Sequence, residues 1–158
     1  MKSYKVVFTA LSLLVLITVS VSSCKKKGCT NPISISYDQD AKEDDGSCQL
    51  ADTGGSTTIV AKPQHHGMPI ISKIGYVDSA FVKFNAENSP GTSASLYDLI
   101  IAGEEGEDHV HIEGMKPGKY YIMMTGYDST INQRVIGGIP YTLTQTSGEI
   151  DLNVPVTE

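Results

Sequence analysis

The residues in this chain best suited to chemistry are its four histidines, which fall in two clusters, His65-His66 and His109-Val110-His111. An i, i+2 pair on a strand brings both imidazoles to one side of a sheet. Neutral imidazole is a common ligand for zinc, copper and nickel. Met123 adds a thioether, which favours Cu(I), and Met68 and Met124 are weaker candidates of the same kind. His65, His66, His109, His111 and Met123 are therefore nominated as a copper or zinc set, on the condition that the segment at residue 65 reaches the strand at residue 109. The competing expectation is polar residues on a solvated sheet face. Asp38, Asp40, Glu43, Asp44 and Asp45 invite a calcium reading, because clustered oxygens around a glycine turn suit hard cations. Their spacing is not that of an EF-hand: Lys42 interrupts the run and no glutamate closes it. Acidic turn residues in solvent are the plainer expectation. Catalysis finds less support. Ser22 and Lys25 have dyad spacing, but there is no G-x-S-x-G, P-loop or H-E-x-x-H, and Asp108 beside His109 lacks a nucleophile and an oxyanion site. The chain reads as a non-enzyme.

The elements that must position these groups are strands. From His109 to Met124, apolar residues alternate on both sides of a Gly/Pro turn, which predicts a β-hairpin with Val110, Ile112, Tyr120, Ile122 and Met124 facing the core. With Ile112 paired to Tyr120, His111 would oppose Tyr121 and His109 would oppose Met123. Further β-rich runs lie at 58–62, 79–85, 96–102, 141–145 and 149–154, separated by turn signals at Ser89-Pro-Gly91, Gly103–Gly106, Gly137-Gly-Ile-Pro140 and Ser147-Gly148. This spacing predicts an all-β antiparallel sandwich of about seven strands over 58–158. The small, polar, Gly-rich stretch ending at Thr57 predicts a flexible linker over 49–57. Tyrosine dominates the aromatics, eight against three phenylalanines and no tryptophan, so Tyr121 and Tyr127 are candidates for an amphipathic patch meeting a protein or glycan.

The N-terminus has a secretory layout: Lys2 and Lys5, an apolar run from Val6 to Val19 that is short of the roughly 20 residues a span requires, then small residues. Val21-Ser-Ser-Cys24 resembles the lipobox of bacterial lipoproteins. The resemblance implies removal of residues 1–23 and lipidation of Cys24, hence a membrane partner through the anchor, with 24–27 as a basic tether. Lipidation of Cys24 would leave Cys29 and Cys48 to pair in an oxidising compartment. Removing residues 1–23 takes two lysines and no acids, so the net charge falls from −6 to −8, which argues against nucleic acid as a partner.

Gly28-Cys-Thr-Asn-Pro through Asp44-Asp-Gly-Ser-Cys48 resembles a short module of secreted and surface proteins of the Bacteroidetes, with Asn31, Ser34 and Ser36 departing from its usual form. The resemblance sets the boundaries of an acidic, disulfide-stapled module at 28–48 and implies no activity. Gly114-Met-Lys-Pro-Gly-Lys-Tyr120 resembles the G-L-x-x-G-x-Y turn of prealbumin-like sandwiches, the group of collagen-adhesin B-type and carboxypeptidase regulatory-like domains, with Met115 in place of leucine. His65-His66, Met68-Pro-Ile70, Tyr97-Asp98 and Val135-Ile-Gly-Gly-Ile-Pro140 extend the likeness to Bacteroidetes lipoproteins of about this size. Together these imply an envelope protein, anchored to the outer membrane and facing the periplasm or the exterior, with a non-catalytic binding or structural role.

Overall fold

The computed structural model describes residues 25–158; the expected signal segment, 1–23, and Cys24 lie outside the described residues. Alternating apolar residues build strands throughout: β1 (Thr53–His65), β2 (Met68–Pro69), β3 (Ser79–Phe84), β4 (Leu99–Ala102), β5 (Val110–Met115), β6 (Gly118–Asp128), β7 (Gln133–Leu143) and β8 (Ser147–Pro155). They form two four-stranded sheets. In the first, β1 is central, with β8 parallel to it along one edge and β5, then β2, antiparallel along the other. The second is antiparallel in the order β4-β3-β6-β7. Ile59, Ala61, Val110 and Ile112 meet Val82, Tyr120, Ile122 and Met124 in the shared core. The expected all-β sandwich is borne out, with one parallel pair added.

The expected pairing inside it needs correction. β5 and β6 do not form a hairpin: β5 pairs with β1, and β6 lies between β3 and β7 in the other sheet. Residues 116 and 117 form an arch between the sheets. Alternation correctly placed Val110, Ile112, Tyr120, Ile122 and Met124 inward, but an arch and a hairpin satisfy the same alternation. Two local features favour the arch. Gly118 abuts Ala51, whose Cα would lie 2.4 Å from an added Cβ. The Tyr120 hydroxyl lies within hydrogen-bond distance of the carbonyls of both Lys116 and Asp52, pinning the corner to the start of β1.

Two further boundaries differ. Residues 53–57 of the expected linker already belong to β1, and Asn85 pins the residue group before them, accepting from Ala51 N and donating to Ala51 O. Gly137-Gly-Ile-Pro140 is not a turn but the middle of β7. A Cβ on Gly137 would meet Pro155 O at 2.1 Å and one on Gly138 would meet Ile122 O at 2.8 Å, so these glycines serve close backbone approach. Pro140 is tolerated because β7 is an edge strand.

Cys29 and Cys48 are disulfide-bonded, closing the N-terminal module. Within it Ser34 is buried and bridges to Gln49, accepting from its N–H and donating to its carbonyl. Among the described residues, the sandwich core contains none upstream of Ala51. Cys29→Ser is therefore expected to loosen the module alone: hydrogen exchange should speed up across residues 28–49 while β3 and β6 keep their protection. Loss of protection in β6 would show that the module supports the core.

Candidate functional site

The chemistry-bearing residues gather at the end of the sandwich remote from the disulfide. β1, of 13 residues, separates the two ends by about 40 Å. It closes in a two-residue turn, His66-Gly67, whose φ angles of 50° and 78° are those of the primed hairpin turns that match strand twist. The turn pairs His65 with Met68 and launches the 66–77 loop. The β6–β7 connection, 129–132, completes this end.

His65 continues the inward parity of Ile59 and Ala61 and is only 4% exposed. Its Nδ1 lies 2.7 Å from Asp128 Oδ2 and its Nε2 lies 2.9 Å from Glu158 Oε2. Asp128 is fixed independently, its Oδ1 accepting from both the N–H and the hydroxyl of Thr130 at 2.7 Å. The Asp128 contact is the main cause that raises the His65 pKa, and burial opposes it. Thr130, then His65, holds the Asp128 carboxyl far below the usual range. His66 stacks on His65 with ring centroids 4.1 Å apart. A cavity of about 440 Å³ opens beside them, walled by Met68, Ile71, Lys73, Tyr127 and Ile131.

Around this polar knot the surface is apolar. Ile74, at the tip of the Lys73–Tyr76 turn, is 79% exposed and Met68 is 69% exposed, with Ile71, Tyr76, Val77 and Ile131 also open to solvent. Tyr76 stacks on Tyr127 at 4.2 Å and lies under the Arg134 guanidinium at 6.0 Å, beside a second cavity of about 510 Å³ that Phe81 also lines. The rim was not foreseen, although Ile71, Ile74 and Val77 stand in a stretch with no strand partner. Tyr127 joins it. Tyr121 does not, being six residues back on the same outward face of β6.

Under the rim sits Asp78, fully buried, with no hydrogen-bond partner among the described residues for either carboxylate oxygen. Burial pushes its pKa up to about 6, against the influence of nearby Ser72, whose hydroxyl accepts from Asp78 N without meeting the carboxylate. Gly126 leaves it room: a Cβ there would lie 2.8 Å from Asp78 Oδ1.

The five nominated metal ligands are not brought together. Ala61 pairs with Val110, both inward, so His109 and His111 project from the outer face of the first sheet while His65 points inward at its end. The His109 and His111 rings do meet edge to face at 4.7 Å, and His109 Nδ1 lies 2.9 Å from Asp108. Met123 pairs with Phe81 and Gly138 in the other sheet, not with His109, and is buried beneath Tyr97, whose hydroxyl donates to its sulfur at 3.2 Å. Among the described residues, two groups have ligand atoms within 4.8 Å of one another: His65, His66 and Glu158, and separately Glu107, Asp108 and His109.

The acidic module holds its carboxylates apart. Lys26 pairs with Asp38 at 2.8 Å and Asp40 at 3.7 Å, and Lys27 with Glu43 at 3.3 Å. Asp44 and Asp45 accept from the N–H groups of Gly46 and Ser47, which is the turn role expected of such residues.

No family model and no curated protein matches the chain. Among solved structures it is similar to a DUF4876 family protein from Bacteroides thetaiotaomicron VPI-5482, at 19% identity and a TM-score of 0.36, over 65% of this chain and 24% of that one. The chain thus spans about a quarter of that protein's length.

Proposed function

We propose that this chain is a lipid-anchored protein of the cell envelope with a non-catalytic binding role, holding its apolar rim away from the membrane toward a protein or glycan. The rim carries the binding half of this reading: large apolar side chains clustered at one end of an otherwise closed sandwich are characteristic of interaction sites. The anchoring half rests on the lipobox resemblance at Cys24. It is supported by the Cys29–Cys48 disulfide, which accounts for two of the three cysteines without Cys24 and suits an oxidising compartment. The module that follows Cys24 lies at the opposite end of β1 from the rim, so an anchor there would present the rim outward. The likeness to Bacteroidetes lipoproteins is what supports the outer membrane as the place of that anchor.

The test is metabolic labelling with a fatty-acid analogue, followed by mass analysis of the N-terminal peptide. Label is expected on a peptide beginning at Cys24, and Cys24→Ala should abolish it and release the protein from the membrane fraction. An unlabelled chain retaining residues 1–23 would overturn the anchored reading.

A further inference from the structure

We propose that His65 Nε2, His66 and Glu158 form a binding site for a divalent transition ion of the zinc type, with Asp128 as the positioning residue that orients His65. The proposal starts from proton counting. A neutral imidazole carries one N–H, yet both nitrogens of His65 face carboxylate oxygens, at 2.7 and 2.9 Å. Asp128 is locked by Thr130 whether or not His65 is charged, so Nδ1 is the nitrogen that keeps its proton. The Nε2 lone pair then points at Glu158, an arrangement stable only with a cation between them. At 2.9 Å the gap holds a proton, and a metal ion takes its place once Glu158 draws back.

The surroundings suit a metal. Carboxylate to Nδ1–H, with Nε2 free for the ion, is the arrangement by which ligand histidines are held in the correct tautomer and made more basic. The second imidazole is delivered by His66, whose backbone sits at φ 50°, a conformation uncommon outside glycine and fixed here by the tight β1–β2 turn. The three ligand atoms lie within 4.8 Å of one another, and the roughly 2.0–2.2 Å bonds zinc makes to nitrogen and oxygen are reached when the exposed His66 ring turns out of its stack on His65 and Glu158 withdraws slightly from its 2.9 Å contact. Two imidazoles and one carboxylate are a donor set of open zinc sites. The cavity between Met68 and Ile131 leaves space for a further ligand from solvent or from a partner. The Glu107, Asp108 and His109 group lacks these supports: its His109 Nδ1 is already turned to Asp108, and no buried residue belongs to it.

The test uses the untagged full chain in detergent, stripped with a chelator and titrated with Zn²⁺ by competition against a chromophoric chelator. One ion per chain is expected, with proton release and with affinity falling at acid pH as His65 takes up a proton. His66→Ala and Glu158→Gln alter exposed side chains, so the fold survives, and each should weaken binding at least about tenfold. Asp128→Asn should weaken it about 10- to 100-fold without removing a ligand. The double variant His109→Ala, His111→Ala should bind as the parent does. No stoichiometric binding, or binding lost in the His109/His111 variant but kept in His66→Ala, would overturn the assignment.

Discussion

Tyr120→Ala is expected to lower the unfolding free energy by about 3–5 kcal/mol, a large part of the roughly 5–15 kcal/mol that holds a typical domain folded. Tyr120 is the largest fully buried side chain, and it stands where β6 leaves the arch. Its ring meets Phe84 edge to face at 5.8 Å. Its hydroxyl faces the Lys116 carbonyl, donates to Asp52 O at 3.1 Å and accepts from Asp52 N at 3.3 Å. One residue thus fills the core and ties the arch to the start of β1. Tyr120→Phe separates the two contributions. It keeps the ring and leaves the Asp52 and Lys116 backbone groups short of a partner, so its cost should be about 1–2 kcal/mol. Urea denaturation of both variants gives the comparison. A Phe variant as damaged as the Ala variant would place the whole effect in the hydroxyl; an Ala variant within about 1 kcal/mol of the parent would contradict the arch as the organising feature.

The same corner shows what could be read without coordinates. Alternation from Val110 to Met124 named the inward residues correctly, because a side chain's face depends only on its own strand. Which strand lies alongside depends on the corner, and there the deciding contacts, Gly118 on Ala51 and Tyr120 on Asp52, join positions almost 70 residues apart. The Gly137-Gly138 pair misled for a related reason. Glycine marks both turns and close approaches, and only the positions of Pro155 beside Gly137 and of Ile122 beside Gly138 distinguish them. The histidines were legible as ligands by type but not by partner. His65 draws its contacts from Asp128 and Glu158, residues with no spacing signal, and the assumed opposition of His109 to Met123 failed with the hairpin that required it. Asp78 gave no signal at all: an aspartate before a strand reads as a turn residue, and only the fold buries it.

Asp78→Asn is expected to stabilise the protein by up to about 3 kcal/mol at pH 8 and by much less at pH 4. The sign follows from where the proton resides. Burial raises the Asp78 pKa from 3.8 to about 6, so between those values the folded chain holds a proton that the unfolded chain has lost, and stability declines as pH rises through that window. Above it the loss is complete, and a gap of about two pKa units corresponds to about 3 kcal/mol. Asparagine occupies the same volume uncharged and removes the loss. At pH 4 Asp78 is protonated in the fold and still partly protonated in the unfolded chain, and the substitution gains little. The parent's own pH profile cannot isolate this effect. The raised His65 pKa also makes stability fall as pH rises above the ordinary histidine range, while the lowered pKa values of Asp128 and Glu158 make it fall in acid. Those groups are common to parent and variant and cancel in the difference. The difference between the two urea midpoints, followed from pH 4 to pH 8, should therefore widen up to about pH 6 and level off above it. A gap that stays constant with pH would mean that folding leaves the Asp78 pKa unshifted, which requires a partner for its carboxylate.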